Sequence, residues 1–305
     1  MREFNIINML LSYFSRRQNH INFDEELRRR VSNLEYSANI FKIDDLMKFD
    51  EILDFINTKK IRSGQKKRIG VSADGGYVVW SDDSSFIRKK NAISIGIGDE
   101  FSFEQELLSD GYVVYGVDGS VNDVFPNNNN FYFSKLFVDN GNHPGDARWT
   151  SFTQFFFSKF TSSDFSSLDF LKIDAEGSEY EIILNSKDIL CHFEQIIVEF
   201  HGLELIFDSY FRDKFIEALN ILLNSHTPIH VHGNNSGKGI RFPQGEFPSI
   251  LEITFLKKEK CENQFDDYKY NNQLDYPNST ERPDINLSPF FSKDRNYLGL
   301  LRNFL

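Results

Sequence analysis

A short glycine turn is the first feature of the sequence that could bind a ligand. Gly96 and Gly98 follow an apolar run and precede an amphipathic one, so the turn joins a predicted strand to a predicted helix. Glycines in such a turn let the backbone approach a ligand closely. Asp118 follows Gly96 by 22 residues, at the end of the next apolar run. A carboxylate there can accept hydrogen bonds from both ribose hydroxyls, so the spacing predicts a nucleoside cofactor.

Two kinds of nucleoside cofactor share this geometry. A dinucleotide needs a third glycine at position 101, because its pyrophosphate rests on the N-terminus of the helix. This chain has the bulky Phe101 there, preceded by the acidic pair Asp99 and Glu100. S-adenosylmethionine has no phosphate and carries a cationic sulfonium and amine, so an acidic turn suits it. We therefore expect S-adenosylmethionine, with a dinucleotide or a turn without cofactor as alternatives.

A second acidic group follows another apolar run. Asp174 comes directly after residues 170–173 and therefore at the carboxyl end of a predicted strand, where open α/β sheets bind ligands. Glu176 and Glu179 follow where the chain turns into a helix, and carboxylates in a first helical turn also interact favourably with the helix dipole. Asp174 is thus the stronger candidate for chemistry, and Glu176 is a candidate cofactor ligand.

Polar residues also mark the ends of two later strands. Glu199 lies inside an apolar strand that ends at His201. His230 and His232 occupy alternate positions, so both side chains face the same side of their strand. We expect Asp174, His201 and His232 to meet at one edge of the sheet.

These residues could support methyl transfer to a hydroxyl. That reaction needs the acceptor in line with the sulfonium and a group that takes the proton. His201, with Asp174 or His232, suits the proton acceptor because histidine titrates near neutral pH. Alternatively, Asp174 and His201 bind a divalent cation, Mg²⁺ or Mn²⁺, that lowers the pKa of the hydroxyl. The sequence leaves both open.

A sheet with flanking helices must position these residues. Predicted strands lie at 77–80, 92–95, 112–117, 131–137, 169–173, 195–200, 229–232 and 250–256, and predicted helices at 21–58, 101–109, 151–160, 178–185 and 205–225. Strands that alternate with helices predict an α/β fold with a mainly parallel sheet covered on both faces.

Length and charge indicate how the chain is organised. Its 305 residues, 40% of them apolar, suffice for one large domain or for one domain with an appendage. We assign residues 1–67 to an N-terminal helical appendage, 68–257 to the ligand-binding domain and 258–305 to an extended tail. The net charge of −11 argues against nucleic acid as a partner.

The charge is uneven along the chain. Residues 1–68 hold 14 Lys or Arg against 10 Asp or Glu, and the rest is strongly acidic. The basic run that ends at Arg68 lies on a predicted helical surface before the turn at Asp74. We interpret it as a solvated helix surface, or as a contact for a phosphorylated or acidic acceptor or for the anionic membrane face.

Two features bear on location. Only two cysteines occur, which excludes a disulfide framework and fits a reducing compartment, so we expect a cytoplasmic protein. The apolar residues 5–14 are too few to span a bilayer. We expect an N-terminal helix packed on the body, or a weak contact with the inner membrane surface through the arginines that follow.

The motifs together resemble the FkbM-type methyltransferases, a branch of the class I S-adenosylmethionine-dependent superfamily. The matching pieces are 96–98 with 103–104, Asp118, 172–179 and 198–201. Other pieces resemble a bacterial subgroup associated with surface glycans, namely 68–70, 74–77, 232–235, 251–255 and 274–278. The acidic motif is the most specific of them, although Ala175 stands where the family more often has Val.

The resemblance implies a Rossmann-like class I fold with a seven-stranded sheet and methyl transfer to oxygen, often on a sugar. It implies that the cofactor contacts Asp74, Gly75, Tyr77, Gly96, Gly98, Glu104, Asp118, Asp174 and Glu176. Residues 174–176 also resemble the metal-binding turn of cation-dependent O-methyltransferases, so the divalent cation stays an alternative.

We therefore expect an O-methyltransferase acting on a hydroxyl of a sugar, glycan or sugar nucleotide, with this small molecule or glycan as its partner. The alternatives are an NAD-dependent sugar oxidoreductase or epimerase, and a non-catalytic glycan-binding protein on a methyltransferase fold. A non-catalytic protein would have Asp174, His201 and His232 far apart in the structure and not at one site.

Overall fold

The computed structural model describes residues 43–82, 90–121, 128–242, 245–267 and 273–291. The helices are α1 (Ile43–Phe55), α2 (Ser102–Ser109), α3 (Phe152–Lys159), α4 (Glu179–Leu184), α5 (Lys187–Leu190), α6 (Ser209–Leu223) and α7 (Ser288–Phe291). Short 3₁₀ turns lie at Ser162–Ser167, Leu203–Leu205 and Lys258–Lys260.

The first eight strands are β1 (Lys59–Ile61), β2 (Gln65–Ile69), β3 (Tyr77–Ser81), β4 (Asn91–Ile95), β5 (Val113–Val117), β6 (Phe131–Ser134), β7 (Phe137–Asp139) and β8 (Trp149–Ser151). The others are β9 (Leu168–Ile173), β10 (Gln195–His201), β11 (His226–Asn234), β12 (Ile240–Phe242), β13 (Gly245–Phe247), β14 (Ile250–Lys257) and β15 (Cys261–Phe265).

Seven strands form the central sheet, in the order β11-β14-β10-β9-β4-β5-β6. Strand β14 runs antiparallel to both of its neighbours, and the pairs from β10 to β6 are parallel. Strand β10 is buried along its whole length, as its apolar run predicts for a central strand covered on both faces. The seven-stranded sheet fits the Rossmann-like fold that the resemblance implies.

The parallel strands bring the ligand motifs to one edge. Strand β4 ends at Ile95 before the glycine turn, β9 ends at Ile173 before Asp174, and β10 ends at His201. Ile95 pairs with Ile173 in the parallel register. The glycine turn and the acidic motif therefore leave the sheet side by side.

Helix α1 packs into the main core. Phe49 is fully buried, and its ring stacks on Phe242 at 5.2 Å and meets Phe247 and Phe290 edge-on. Of the predicted N-terminal helices only this one lies among the described residues, because residues 1–42 fall outside them. The domain limits at 67 and 257 stay predictions.

The basic run lies on strands and not on a helical surface. Residues 59–61 form β1, which pairs antiparallel with β15, and residues 65–69 form β2, which pairs with β3. Lys66 forms an ion pair with Asp266 at 2.7 Å, and Lys67 one with Asp110 at 3.0 Å. For β1 the prediction failed because strand pairing with a segment 200 residues away leaves no local periodicity. Strand β2 was missed although its partner β3 is close in sequence.

Two other segments differ from the sequence prediction or refine it. The predicted strand 131–137 is broken into β6 and β7 because the backbone N–H of Leu136 bonds back to the carbonyl of Ser134, and β7 then pairs with β8 in a separate small sheet. The predicted extended tail packs on the domain at residues 273–291, where Leu287 and Phe290 are fully buried.

Candidate active site

The glycine turn lies directly against the acidic motif. Gly96 and Gly98 both have left-handed backbone, with φ of 75° and 67°. A β-carbon on Gly96 would stand 1.6 Å from the carbonyl oxygen of Asp174, whereas one on Gly98 would meet no described atom within 4 Å. Packing thus requires glycine at 96, and Gly98 borders open space, as a cofactor cradle does.

Asp118 shapes this turn through its carboxylate. Its Oδ2 accepts the backbone N–H groups of Ile97 and Gly98, both at 2.9 Å, and its Oδ1 accepts the N–H and hydroxyl of Ser120. Burial would raise the pKa of Asp118, but these four hydrogen bonds outweigh it and lower the pKa. Since a carboxylate has about four acceptor positions, a ribose hydroxyl must share or replace one of these bonds.

Two opposite charges are buried beside the turn. Lys172 donates from Nζ to the carbonyl oxygen of Gly96 at 2.5 Å and lies 3.5 Å from Oδ2 of Asp174. Glu104 accepts a hydrogen bond from the hydroxyl of Ser94 at 2.5 Å. We predicted Glu104 as a cofactor ligand, but it is only 2% exposed. Its carboxylate instead serves as a buried countercharge to Lys172.

Asp174 and Tyr77 join the acidic motif to the β2–β3 hairpin. The hydroxyl of Tyr77 lies 3.1 Å from Oδ2 of Asp174 and 3.3 Å from Oε2 of Glu199, so its single hydrogen serves one of them at a time. Burial, together with these two carboxylates, raises the pKa of Tyr77. Tyr77 is therefore a neutral hydrogen-bond donor, and Asp174, whose side chain is 24% exposed, stays accessible.

Glu176 has strained backbone. Its φ is 53°, a left-handed backbone conformation that residues other than Gly, Asn and Asp rarely adopt. Its carboxylate is half-exposed and lies 3.7 Å from Nε2 of His201. Such strain at a site edge indicates a residue held for its position.

His201 lies among four carboxylates. Nε2 is 3.5 Å from Glu199 and 4.0 Å from Asp174, and Nδ1 is 3.5 Å from the buried Glu179. Burial would lower the pKa of His201, but these carboxylates outweigh it, Glu179 most, and raise the pKa to about 10. An imidazolium has no free lone pair, so His201 in this state is neither the proton acceptor nor the metal ligand that we predicted.

Glu199 is the central carboxylate of the site. Its Oε1 accepts a hydrogen bond from Nδ2 of Asn234 at 3.0 Å. Burial, and the nearby charge of Asp174, raise its pKa well above the usual range. The sequence shows Glu199 as a charge within an apolar strand, but we did not place it in the site.

His232 does not join Asp174 and His201. It lies two strands from β10 in the sheet order, with Nδ1 3.2 Å from Glu252 and Nε2 3.1 Å from Asp284. Burial would lower the pKa of His232, but the hydrogen bonds with Asp284 and Glu252 raise it to about 10. The predicted convergence thus holds for Asp174 and His201, and His232 is an imidazolium that positions Glu252.

The turn at residues 74–76 lies beside the glycine turn. A β-carbon on Gly75 would stand 2.2 Å from Oε2 of Glu100. Asn278, from the C-terminal segment, donates from Nδ2 to Oδ1 of Asp74 and to Oε1 of Glu252. Burial, the largest effect, raises the pKa of Asp74. Asp74 and Gly75 therefore lie beside the glycine turn, and the segment after β15 holds Asp74. Their contact with the cofactor stays a prediction.

Two sets of side chains have atoms close enough for a cation. They are Asp174 with Glu199 and His201, and Asp74 with Glu199 and Glu252, each within 4.8 Å. In both sets side-chain amides or the Tyr77 hydroxyl already bond the carboxylates, and His201 carries a proton. These donors occupy acceptor positions on the oxygens that a cation would need, so the arrangement does not favour a metal.

One family profile matches part of the chain. The profile described as the methyltransferase FkbM domain matches residues 84–226. This stretch is similar to that family, and the protein is a methyltransferase. The match spans just under half of the chain and includes the glycine turn, Asp118, the acidic motif and β10. It supports the family resemblance seen in the sequence and a methyltransferase that uses S-adenosylmethionine.

Solved structures similar to this methyltransferase share little of its sequence. A fibrillarin/Nop5p complex matches with 10% identity and a TM-score of 0.35, over 55% of this chain and 73% of that one. An S-adenosylmethionine-dependent methyltransferase from Methanosarcina mazei matches with 13% identity and a TM-score of 0.30, over 56% and 94%. No curated protein matches this chain.

The residues of the methyltransferase fit S-adenosylmethionine. Gly98 leaves room for a ligand to approach the backbone, and Asp118 presents its carboxylate at the end of β5. Carboxylates outnumber cations around Asp174, which suits a donor with a positive sulfonium. When bound, this donor supplies an electrophilic methyl group.

The sequence did not reveal which acidic residues share the site. Glu252 pairs with Glu199 on one side and with His232 on the other. Directly paired residues face the same side of a sheet, so these three form a row across it. The only local signal was a charged residue within each apolar strand.

The methyltransferase also has a cleft at the other end of the sheet. It holds about 450 Å³ and is lined by residues that include Phe157, Phe165, Ser186 and His192. These residues precede β9 and β10, so the cleft lies at the amino ends of the strands, away from the glycine turn.

Among the described helices, none has the length and apolar character needed to cross a membrane.

Proposed function

We propose that this methyltransferase transfers a methyl group to a hydroxyl of a sugar, glycan or sugar nucleotide, as in the modification of surface polysaccharides. One observation carries the proposal: the glycine turn packs on the backbone of Asp174, and the Asp174 carboxylate heads a row of acidic side chains. The methyl donor and a hydroxyl acceptor would therefore meet at the same edge.

The row of acidic side chains supports a polyhydroxyl acceptor. Glu199 and Glu252 pair across β10 and β14, and Asp74 lies within 4.8 Å of both. Sugar hydroxyls donate hydrogen bonds, and the accessible carboxylates of the row, Asp174 and Asp74, have acceptor positions for them. Glu199 and Glu252 are buried behind them. An acidic acceptor group would be repelled here, so we favour neutral sugar rings at the reacting end.

The chain's own residues then divide the work. Asp174 takes the proton of the hydroxyl, because its carboxylate is accessible and its backbone packs against Gly96 of the cofactor turn. Tyr77 and Lys172 hold its Oδ2 in place. The His201 imidazolium balances the buried carboxylate of Glu179. The hydroxyl oxygen forms its bond to the methyl carbon as the carbon–sulfur bond breaks toward sulfur.

Two measurements test the proposal. Calorimetric titration of the purified full chain with S-adenosylmethionine should show saturable binding. Transfer of label from methyl-labelled S-adenosylmethionine should occur to nucleotide sugars or oligosaccharides and not to protein, DNA or catechols. Binding without any sugar methylation would contradict the acceptor class, and absence of binding would contradict the methyltransferase chemistry.

NAD is the alternative cofactor that a competition experiment should test. Phe101 and the acidic Asp99 and Glu100 occupy the place of a pyrophosphate, so NAD should not displace S-adenosylmethionine in the same titration. The predicted cytoplasmic location and membrane contact stay predictions, because residues 1–42 lie outside the described part of the chain.

A further inference from the structure

We propose that Lys172 is a positioning residue that couples the cofactor turn to Asp174 and sets the charge felt by the sulfonium. The inference rests on the proposed methyl transfer. Lys172 is 3% exposed and nevertheless carries an ammonium, whose Nζ bonds the carbonyl oxygen of Gly96 and lies 3.5 Å from Asp174.

A buried ammonium needs compensation, and the fold supplies it on two sides. Lys172 pairs with Ser94 across β9 and β4, and Ser94 bonds the carboxylate of Glu104. Asp174 lies on the other side. Burial would lower the pKa of Lys172, but Asp174 and Glu104 outweigh it and raise the pKa. Three side chains of alternating charge therefore lie in a row beneath the cofactor turn, in the spatial order Glu104, Lys172, Asp174.

Lys172 contacts both the glycine turn and the acidic motif. Gly96 belongs to the turn that would carry the methyl donor, and Asp174 would receive the acceptor's proton. Both are held by the same ammonium, so their separation is fixed by Lys172 as well as by the strand register. Lys172 touches neither reactant in this arrangement, so it is not a catalytic residue.

The comparison of two ligands tests the charge effect. S-adenosylmethionine carries a sulfonium and S-adenosylhomocysteine a neutral sulfur, so their affinity ratio reports the local charge. Lys172→Met removes a positive charge and should shift the ratio toward S-adenosylmethionine on the order of ten-fold. Glu104→Gln removes a negative charge and should shift it in the opposite direction. Lys187→Met, on α5 at the far end of the sheet, is the matched control and should leave the ratio unchanged.

The rate of transfer tests the positioning. At saturating cofactor, Lys172→Met should lower kcat at least ten-fold, because a displacement near 1 Å can cost more than that. Lys172→Arg keeps the charge and should restore the affinity ratio while recovering kcat only in part. Equal weakening of both ligands with kcat unchanged would show a merely structural role and overturn the inference.

A double variant covers loss of folding. If Lys172→Met does not fold, Lys172→Met with Glu104→Gln removes both buried charges together, which proteins tolerate better than loss of one partner. It should fold and still lose kcat at saturation, and a wild-type kcat would overturn the inference. If the wild-type protein binds neither ligand, the proposed methyl transfer fails instead, so the two failures are distinct.

Discussion

The carbonyl oxygen of Asp174 occupies the space that a β-carbon on Gly96 would need, at 1.6 Å from its position. The turn that would carry the methyl donor and the strand end that carries the reacting carboxylate are therefore in backbone contact. Neither can move without the other.

Alanine substitutions at the two glycines of the turn should have different effects. Gly96→Ala should lower the free energy of unfolding by about 2 kcal/mol or more, since left-handed backbone costs 1–2 kcal/mol and the Asp174 carbonyl must also shift. Gly98→Ala should cost only about 1 kcal/mol, from φ alone, but its methyl group would enter the cradle and weaken S-adenosylmethionine binding. Urea unfolding and calorimetry separate the two. Equal stability losses would contradict the packing argument.

Asp174→Asn should lower kcat by about 100-fold or more, because the variant lacks the proton acceptor. Binding of the neutral S-adenosylhomocysteine should change little, since no formal charge lies on its sulfur. Steady-state kinetics and calorimetry check this, with Asp188→Asn at the far end of the sheet as the matched control. A variant with wild-type kcat would show that another group takes the proton.

Substitutions of Glu176 should separate its backbone from its carboxylate. Glu176→Gly should be more stable than Glu176→Ala by about 1 kcal/mol, because only glycine adopts φ of 53° without strain. Both remove the carboxylate beside His201, so both should share any change in activity. Thermal unfolding measures the first effect and methyl transfer the second. An alanine variant as stable as the glycine variant would refute the left-handed conformation.

The stability of the protein should fall at alkaline pH through His232. Its pKa is raised to about 10 in the folded state, so its contribution is fully present below the unfolded pKa of about 6.5 and is lost as pH rises through 10. Within that window the stability advantage of the wild type over His232→Gln should shrink by about 1.4 kcal/mol per pH unit. Unfolding at pH 6 to 10 measures it, and His192→Gln, remote from Glu252 and Asp284, should keep the wild-type profile. A constant difference between wild type and His232→Gln would show that His232 is neutral.

Chelation should leave the activity unchanged. Hydrogen-bond donors already engage the carboxylates of both sets that could hold a cation. Dialysis against EDTA followed by a transfer assay checks this. Activity that is lost on dialysis and restored by Mg²⁺ or Mn²⁺ would reinstate the cation that the sequence left open.

The sequence predicted the fold well because the central elements carry their own periodicity. Strand β10 is a continuous apolar run and α2 follows the glycine turn as an amphipathic segment, and both lie within about two residues of their predicted limits. The pairs β1–β15 and β7–β8 escaped prediction because short strands depend on distant partners and leave no local pattern.

The site was predictable only where a residue ends a strand. Asp174 and His201 were found for that reason. Glu199 and Glu252 share the site through the register of β10 with β14, which no local pattern encodes. The protonation of His201 depends on Glu179, Glu199 and Asp174 together, so the role of proton acceptor could not be assigned before the packing was known.

The pairing of β1 with β15 ties the order of folding to the order of synthesis. Lys59 pairs with Phe265, and Arg62 bonds the carbonyl of Lys260. The first of these strands leaves the ribosome long before its partner exists. Helix α1 likewise waits for Phe242, Phe247 and Phe290 to bury Phe49. The domain is therefore completed only after its last strand and α7 have emerged, and a nascent chain halted before residue 261 would hold β1 without its partner strand and Phe49 without Phe290.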